Sequence, residues 1–311
     1  MMMNKIQWVV LFLLFIVCSN AQTEKVEDIV ESGFKKNESG DYYNAIKAFN
    51  KALNMNPNSA NAYLGRAEAK LNISETAEAL VDVNKSLYLL KDNAEAYCLR
   101  GRIYNLKKKY DDALNDFNKS LMIDPTYLEA FSEKAFTLFS MNKEKEAFEL
   151  VETGIKKDKK AIYYYTRGML YFQKEKYGKT VDDLNKSIEI DPNYNIFKVN
   201  LNKGIANIAL GDYSAALNDI TKAILIKPFS ALAYNQRGMA YYNQLKFDNA
   251  ILDYNKSLEL NPDNASTYYN LGMAYYKKDD NTNACASFQK SCNLRDPNAC
   301  KMAVLCCSKG K

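Results

Sequence analysis

Seven cysteines and no histidine limit the chemistry open to this chain of 311 residues. Five of the seven crowd its C-terminal end: Cys285, Cys292, Cys300, Cys306 and Cys307. Thiols at that density can form disulfides, bind a metal or exchange electrons. Zinc without imidazole would need mostly thiolates, and the spacing lacks the C-x-x-C knuckle that such sites use. The missing histidine excludes His-based nucleophile activation and His-ligated metals. There is no glycine-rich phosphate loop. The carboxylates recur in register, as on a solvated face, and do not converge as one catalytic pair. We therefore expect no catalytic residue, no cofactor and no metal, and expect the cysteines to form structural disulfides.

The elements that must carry these residues are marked by proline. The six prolines are Pro57, Pro125, Pro192, Pro228, Pro262 and Pro297, with successive gaps of 68, 67, 36, 34 and 35 residues. A period near 34 with two omissions, at Lys91 and Lys159, means one supersecondary unit copied many times. Aligned on the prolines, the units start at Val26, Ala60, Ala94, Leu128, Ala161, Phe197, Ala231 and Ala265. Position 8 of each unit is glycine or alanine, as at Gly101 and Gly238, and position 20 is alanine or threonine, as at Ala113 and Ala250. Small residues there let two antiparallel helices approach closely, and large residues at position 24, such as Phe117 and Tyr254, fill the space between them. Proline at position 32 ends the second helix, since it lacks an N–H and disfavours a helical residue before it. The predicted fold is an all-α solenoid without a central core.

This pattern resembles the tetratricopeptide repeat, most closely in AYNQRGMAYYNQLKFDNAILDYNKSLELNP, Ala233 to Pro262. The resemblance runs from about Val26 to Pro297. It implies about eight helix-turn-helix repeats in a right-handed superhelix that binds a protein or peptide in its concave groove. In the family, positions 2, 5, 9 and 12 of the first helix line that groove. Here they give Phe136 and Phe139; Tyr165, Met169 and Phe172; Ile205 and Ile208; Met239 and Tyr242; and Tyr269, Met273 and Tyr276. Methionine and aromatic side chains suit varied apolar shapes, and the same residues could equally be ordinary repeat packing. The first three units are more polar at these positions, with Asn37, Glu68, Glu95, Arg102 and Asn105 among them. The asparagine-and-lysine clamp that the family uses for chaperone C-termini is absent, which disfavours a cytosolic co-chaperone.

Comparison between units predicts a ladder of ion pairs. Position 7 is basic in six units and position 23 is aspartate in five. A hairpin folded near position 15 brings them level. The expected pairs are Arg66 with Asp82, Arg100 with Asp116, Arg167 with Asp183, Lys203 with Asp219 and Arg237 with Asp253. The sixth unit departs from the pattern. It follows an inserted Asn195-Ile196 and carries Asn200 and Asn207 where tyrosine is usual, which could loosen its packing. Asn-Lys-Ser recurs at Asn84, Asn118, Asn185 and Asn255; copying of the repeat accounts for these glycosylation-like tripeptides.

Partners in two antiparallel helices sit symmetrically about the turn. That symmetry predicts Cys292 bound to Cys300 and Cys285 bound to Cys307, with Cys306 competing for the second. The stretch CNLRDPNAC resembles the cysteine-bridged variants of Sel1-like repeats. Such bridges would hold residues 297–311 as a capping helix and tail on a solenoid running from 22 to 296.

At the other end, Lys5, the apolar run Ile6 to Val17 and the small residues Ser19-Asn20-Ala21 read as a signal peptide over residues 1–21, with export to a periplasmic or secreted location. A lipid anchor at Cys18 or an uncleaved segment would instead tie the protein to a membrane. Net charge is +5 with both signs interspersed and no basic tract, so a nucleic-acid partner is not expected, nor a small-molecule substrate. Two activities fit: an exported scaffold that binds a defined protein or peptide, and a holdase that grips apolar segments of exported chains.

Overall fold

The computed structural model of the protein describes residues 25–307, and every regular element among them is an α-helix. Residues 25–39 form α1. There follow α2 (Tyr42–Met55), α3 (Ala60–Asn72), α4 (Thr76–Leu89), α5 (Ala94–Leu106), α6 (Tyr110–Ile123) and α7 (Leu128–Ser140). Helix α8 (Glu144–Lys157) contains the point, between Ala147 and Phe148, at which the chain divides into two compact units. The second unit continues with α9 (Ala161–Gln173), α10 (Tyr177–Ile190), α11 (Ile196–Leu210), α12 (Tyr213–Ile226), α13 (Ala231–Asn243), α14 (Phe247–Leu260), α15 (Ala265–Lys277), α16 (Asn281–Asn293) and α17 (Pro297–Cys307).

Within each unit, odd-numbered helices pack on the even-numbered helix that follows, as α3 does on α4 and α13 on α14. Small and large residues make this possible. Gly238 faces Tyr254 so closely that a Cβ on it would lie 2.6 Å from the ring. Tyr254 in turn is almost wholly buried with Ala250, Leu258 and Ala274. The core of each unit is thus a series of local clusters, each drawn from three consecutive helices.

Local signals set the helix ends. Ser59, Asn93, Ser230 and Asn264 cap first helices by accepting from the backbone N–H three residues on. Pro57, Pro125, Pro192, Pro228 and Pro262 each stand two residues beyond the end of a second helix. Pro297 has another role. It is the first residue of α17, where its missing N–H has no helical partner to lose, and Asp296 caps that helix through Asn298 and Ala299.

Each turn between first and second helix passes through a left-handed residue at position 15. Gly40 and Gly211 serve in two repeats; Ser74, Lys108, Asn142, Glu175, Leu245 and Asp279 adopt the same positive φ in the others. In the sixth repeat the inserted Ile196 becomes the first residue of α11, and Asn195 before it is left-handed, with φ 46°. Asn200 and Asn207 are buried and hydrogen-bonded there, Asn200 to the carbonyl of Ile196 and Asn207 to Asp219.

Candidate functional site

Four arginines grip their aspartates as forks. Nε and Nη2 of Arg66 lie 2.8 and 2.6 Å from Asp82, and those of Arg237 both lie 2.8 Å from Asp253. Arg100 with Asp116 and Arg167 with Asp183 repeat the geometry. Lys203 reaches Asp219 at 3.1 Å. The aspartates are buried and the arginines mostly so. Hydrogen bonds to the paired aspartate push the pKa of Arg100, Arg167 and Arg237 up, against the desolvation that would lower it. Each guanidinium also lies over the tyrosine three residues before it, 5.3 Å from the ring of Tyr97 for Arg100 and 5.5 Å from that of Tyr234 for Arg237.

The basic residue does one thing that sequence reasoning missed: it ties consecutive repeats together. Arg66 Nη1 donates to Asn50, Arg100 Nη1 to Asn84 and Lys203 Nζ to Asn185, each acceptor standing in the preceding repeat's second helix. Arg167 pairs with Glu152 in the same way, at 2.6 Å. In two copies the serine two residues after the asparagine works within its own repeat. Ser120 donates to the carbonyl of Ala94, and Ser257 to that of Ala231. The recurring Asn-Lys-Ser thus divides its work between copies: Asn84 and Asn185 accept from the next repeat, while Ser120 and Ser257 pin their own hairpins. The signal available in the sequence was an acceptor at position 25 wherever position 7 of the next unit is basic.

At the C-terminal end Cys285 is joined to Cys307 and Cys292 to Cys300, with Cα–Cα distances of 5.2 and 4.7 Å. Cys306 points into the core beside Ala284, Phe288 and Ala303. The bridges hold α17 flat on α16. No group of His, Cys, Asp or Glu among the described residues could hold a metal ion.

First helices of successive repeats lie side by side, α3 with α5 and α5 with α7 in the first unit, and α11 with α13 and α13 with α15 in the second. Phe136 and Phe139 stand on α7 in the first unit. The second unit carries Tyr165, Met169 and Phe172 on α9, Ile205 and Ile208 on α11, Met239 and Tyr242 on α13, and Tyr269, Met273 and Tyr276 on α15. All twelve are half-buried. Within its own unit, each is thus partly covered by protein and partly open to solvent. Phe172 stacks edge-on against Tyr177, and Tyr242 against Phe247, so these position-12 rings also close their own hairpins. Burial, and then the neighbouring Tyr269, raise the pKa of Tyr242.

The first unit carries more polar residues at the corresponding positions of its first helices. Asn37 is 8% exposed, and its amide donates to the Gly65 carbonyl at 2.9 Å and to Glu68 at 3.2 Å. Asn105 donates to the Thr137 hydroxyl, and Arg102 faces Glu133 at 3.9 Å. A cavity of about 60 Å³ opens between Leu64, Glu68, Glu95, Cys98, Leu99, Arg102, Tyr127 and Glu129. Glu95 keeps much of its surface open to solvent, yet protein crowds its carboxyl. That desolvation raises its pKa, with Glu68 and Glu129 adding to the effect.

Comparison with known proteins agrees with this architecture. Models described as tetratricopeptide repeat match residues 38–88, 94–127, 161–194, 197–230 and 265–298, and one described as TPR repeat matches 246–279. Serine/threonine-protein phosphatase 5 of Homo sapiens is 37% identical over 68 residues, 22% of this chain and 13% of that protein, and its Rattus norvegicus counterpart matches equally. The chain thus matches only about an eighth of the length of these relatives. Among solved structures, a chain of the APC/C hetero-tetramer Cut9-Hcn1 is similar over 89% of this chain and 55% of its own, with TM-score 0.63 and 18% identity. That likeness is one of fold. With matches covering more than half of its length, the chain belongs to the tetratricopeptide-repeat proteins.

Proposed function

We propose that the protein is an exported interaction scaffold which holds a protein or peptide partner along the half-buried apolar row of its second unit. Tetratricopeptide repeats generally act through protein–protein contacts. The observation that carries the reading is the row itself. Met169, Ile205, Met239 and Met273 occupy the same place in four successive first helices, half-buried and open on one side. Flexible thioethers beside aromatic rings can fit an apolar segment of variable shape. The two cystines support work in an oxidising compartment. The leader expected at residues 1–21 lies outside the described residues. No helix among the described residues is long and apolar enough to cross a membrane. The even mixture of charges supports a protein rather than a nucleic-acid partner.

The test compares three forms of the full chain as bait in the native extract: wild type, Met239→Glu on the row, and Leu252→Glu on an exposed site of α14. A defined partner should be recovered by wild type and Leu252→Glu and lost with Met239→Glu. Equal recovery by all three would refute the row as the binding surface. The recurring methionines also favour a second reading, a holdase for unfolded exported chains. Suppression of aggregation of unrelated denatured clients, abolished by Met239→Glu, would select it.

A further inference from the structure

We propose that the turn between α12 and α13 docks on the surface of a membrane rich in anionic phospholipid, at a site separate from the half-buried row. Leu225, Ile226, Phe229 and Leu232 fall within eight consecutive residues, and all four are exposed, Phe229 to 82%. Single exposed apolar residues are ordinary on a protein surface, whereas a contiguous group marks an interaction site. Other copies of the repeat show what stands there without it. Positions 29, 31 and 33 are Glu189, Asp191 and Asn193 in the fifth repeat, and Glu259, Asn261 and Asp263 in the seventh, all of them exposed. In the sixth they are Leu225, Lys227 and Phe229. Three solvent-facing polar sites have thus become two large apolar residues and a cation, still facing solvent.

Charge at this end selects the partner. Lys186 and Lys256, at position 26, pair with the glutamate three residues on, Glu189 at 2.7 Å and Glu259 at 2.8 Å. Lys222 holds the same position, and Leu225 stands where its glutamate would be. Lys227 lies over the Phe197 ring at 5.1 Å, and Lys198, next to that phenylalanine in sequence, is exposed. Residues 196–243, which span α11 to α13, contain only two acidic residues. Asp219 is buried and held by Lys203, and Asp212 caps α12 at the opposite end of the hairpin. The apolar tip is therefore flanked by lysines with no exposed acid of the same repeat at that end. A bilayer interface meets both demands at once. Its acyl chains take up the leucine and phenylalanine side chains, and its anionic headgroups lie at the level of the lysines.

Fluorescence quenching by brominated lipid tests this at the residue itself. The full chain has one tryptophan, Trp8, which Trp8→Phe removes. In that background Phe229→Trp places an indole in the tip. Leu210→Trp places one on another exposed site, at the opposite end of the hairpin and about 20 Å away along α12. Vesicles of brominated phosphatidylcholine mixed with phosphatidylglycerol should quench the first indole and leave the second bright. Without phosphatidylglycerol, or at high salt, half-quenching should need at least about tenfold more lipid. Lys222→Gln and Lys227→Gln, both on exposed side chains, should each raise that requirement about fivefold. Equal quenching of the two indoles, or none with Phe229→Trp, would overturn the site. Quenching that ignores salt, phosphatidylglycerol and both lysine variants would also overturn it. A dimer in lipid-free solution that Phe229→Ser dissociates would assign the face to a second copy of the chain instead.

Discussion

Asn207 donates its amide to Asp219 Oδ2 at 3.0 Å, while Lys203 holds Oδ1 of the same carboxylate at 3.1 Å. Four other repeats bring both donors on one arginine. Lysine is a single point charge and cannot span the two oxygens as a fork does, so a second residue one turn further along α11 completes the cage. Replacing Asn207 by alanine should leave a buried carboxylate oxygen without a donor and cost about 1–3 kcal/mol in urea unfolding. Lys203→Arg in that background should recover most of the loss, and little should be gained from Lys203→Arg in the wild type. Simple addition of the two effects would show that the residues do not share Asp219.

The arginine ladder was legible because opposite charges sixteen residues apart recur in copy after copy, and a hairpin leaves few places for them to meet. Asn207 was not. In the sequence it stands where tyrosine is usual, and only the structure shows that its amide replaces half of a guanidinium. The third nitrogen of each arginine was hidden too, since its acceptor sits in another repeat. At the face expected to bind, the sequence named residues but could not tell packing from exposure. The helices leave all twelve half-buried, and at Phe172 and Tyr242 the position-12 ring also stacks on an aromatic residue of its own second helix.

Leu245 should be replaceable by glycine with a gain. It occupies the left-handed position of its turn, φ 60°, with its side chain largely in solvent, where Gly40 and Gly211 serve two other repeats. A Cβ in that conformation crowds the following carbonyl, at about 1–2 kcal/mol, while the added freedom of glycine in the unfolded chain returns part of this. Leu245→Gly should therefore raise stability by about 0.5–1 kcal/mol, and Leu245→Ala, which keeps the Cβ, should not. Loss of stability in the glycine variant would mean that the leucine side chain contributes packing.

The two cystines should act locally. Cys285–Cys307 and Cys292–Cys300 clamp α17 onto α16, so reduction releases a short helix whose outer residues Val304 and Leu305 are exposed. Hydrogen exchange on the reduced protein should show protection lost across residues 297–307, with each bridge contributing about 2–4 kcal/mol to that segment. Protection in α13 and α14 should hold, since in an array each repeat depends on its neighbours alone. Loss of protection along the whole second unit would show that the cap is needed for the unit to fold.

Glu95 should make the protein less stable at neutral pH than it would be without the charge. Its carboxyl is desolvated and faces Glu68 on α3 and Glu129 on α7, with Arg102 on its own helix and Tyr127 and Cys98 completing the pocket. The folded pKa is raised, so the folded state takes up the proton first as pH falls. Stability contributed by this group accordingly declines as pH rises from the ordinary carboxylate range through the raised value. Glu95→Gln removes the unfavourable charge. It should melt higher than wild type at pH 7, and the difference should close as the pH is lowered to about 4, where the wild-type carboxyl is protonated. A residue kept for stability would show the opposite sign.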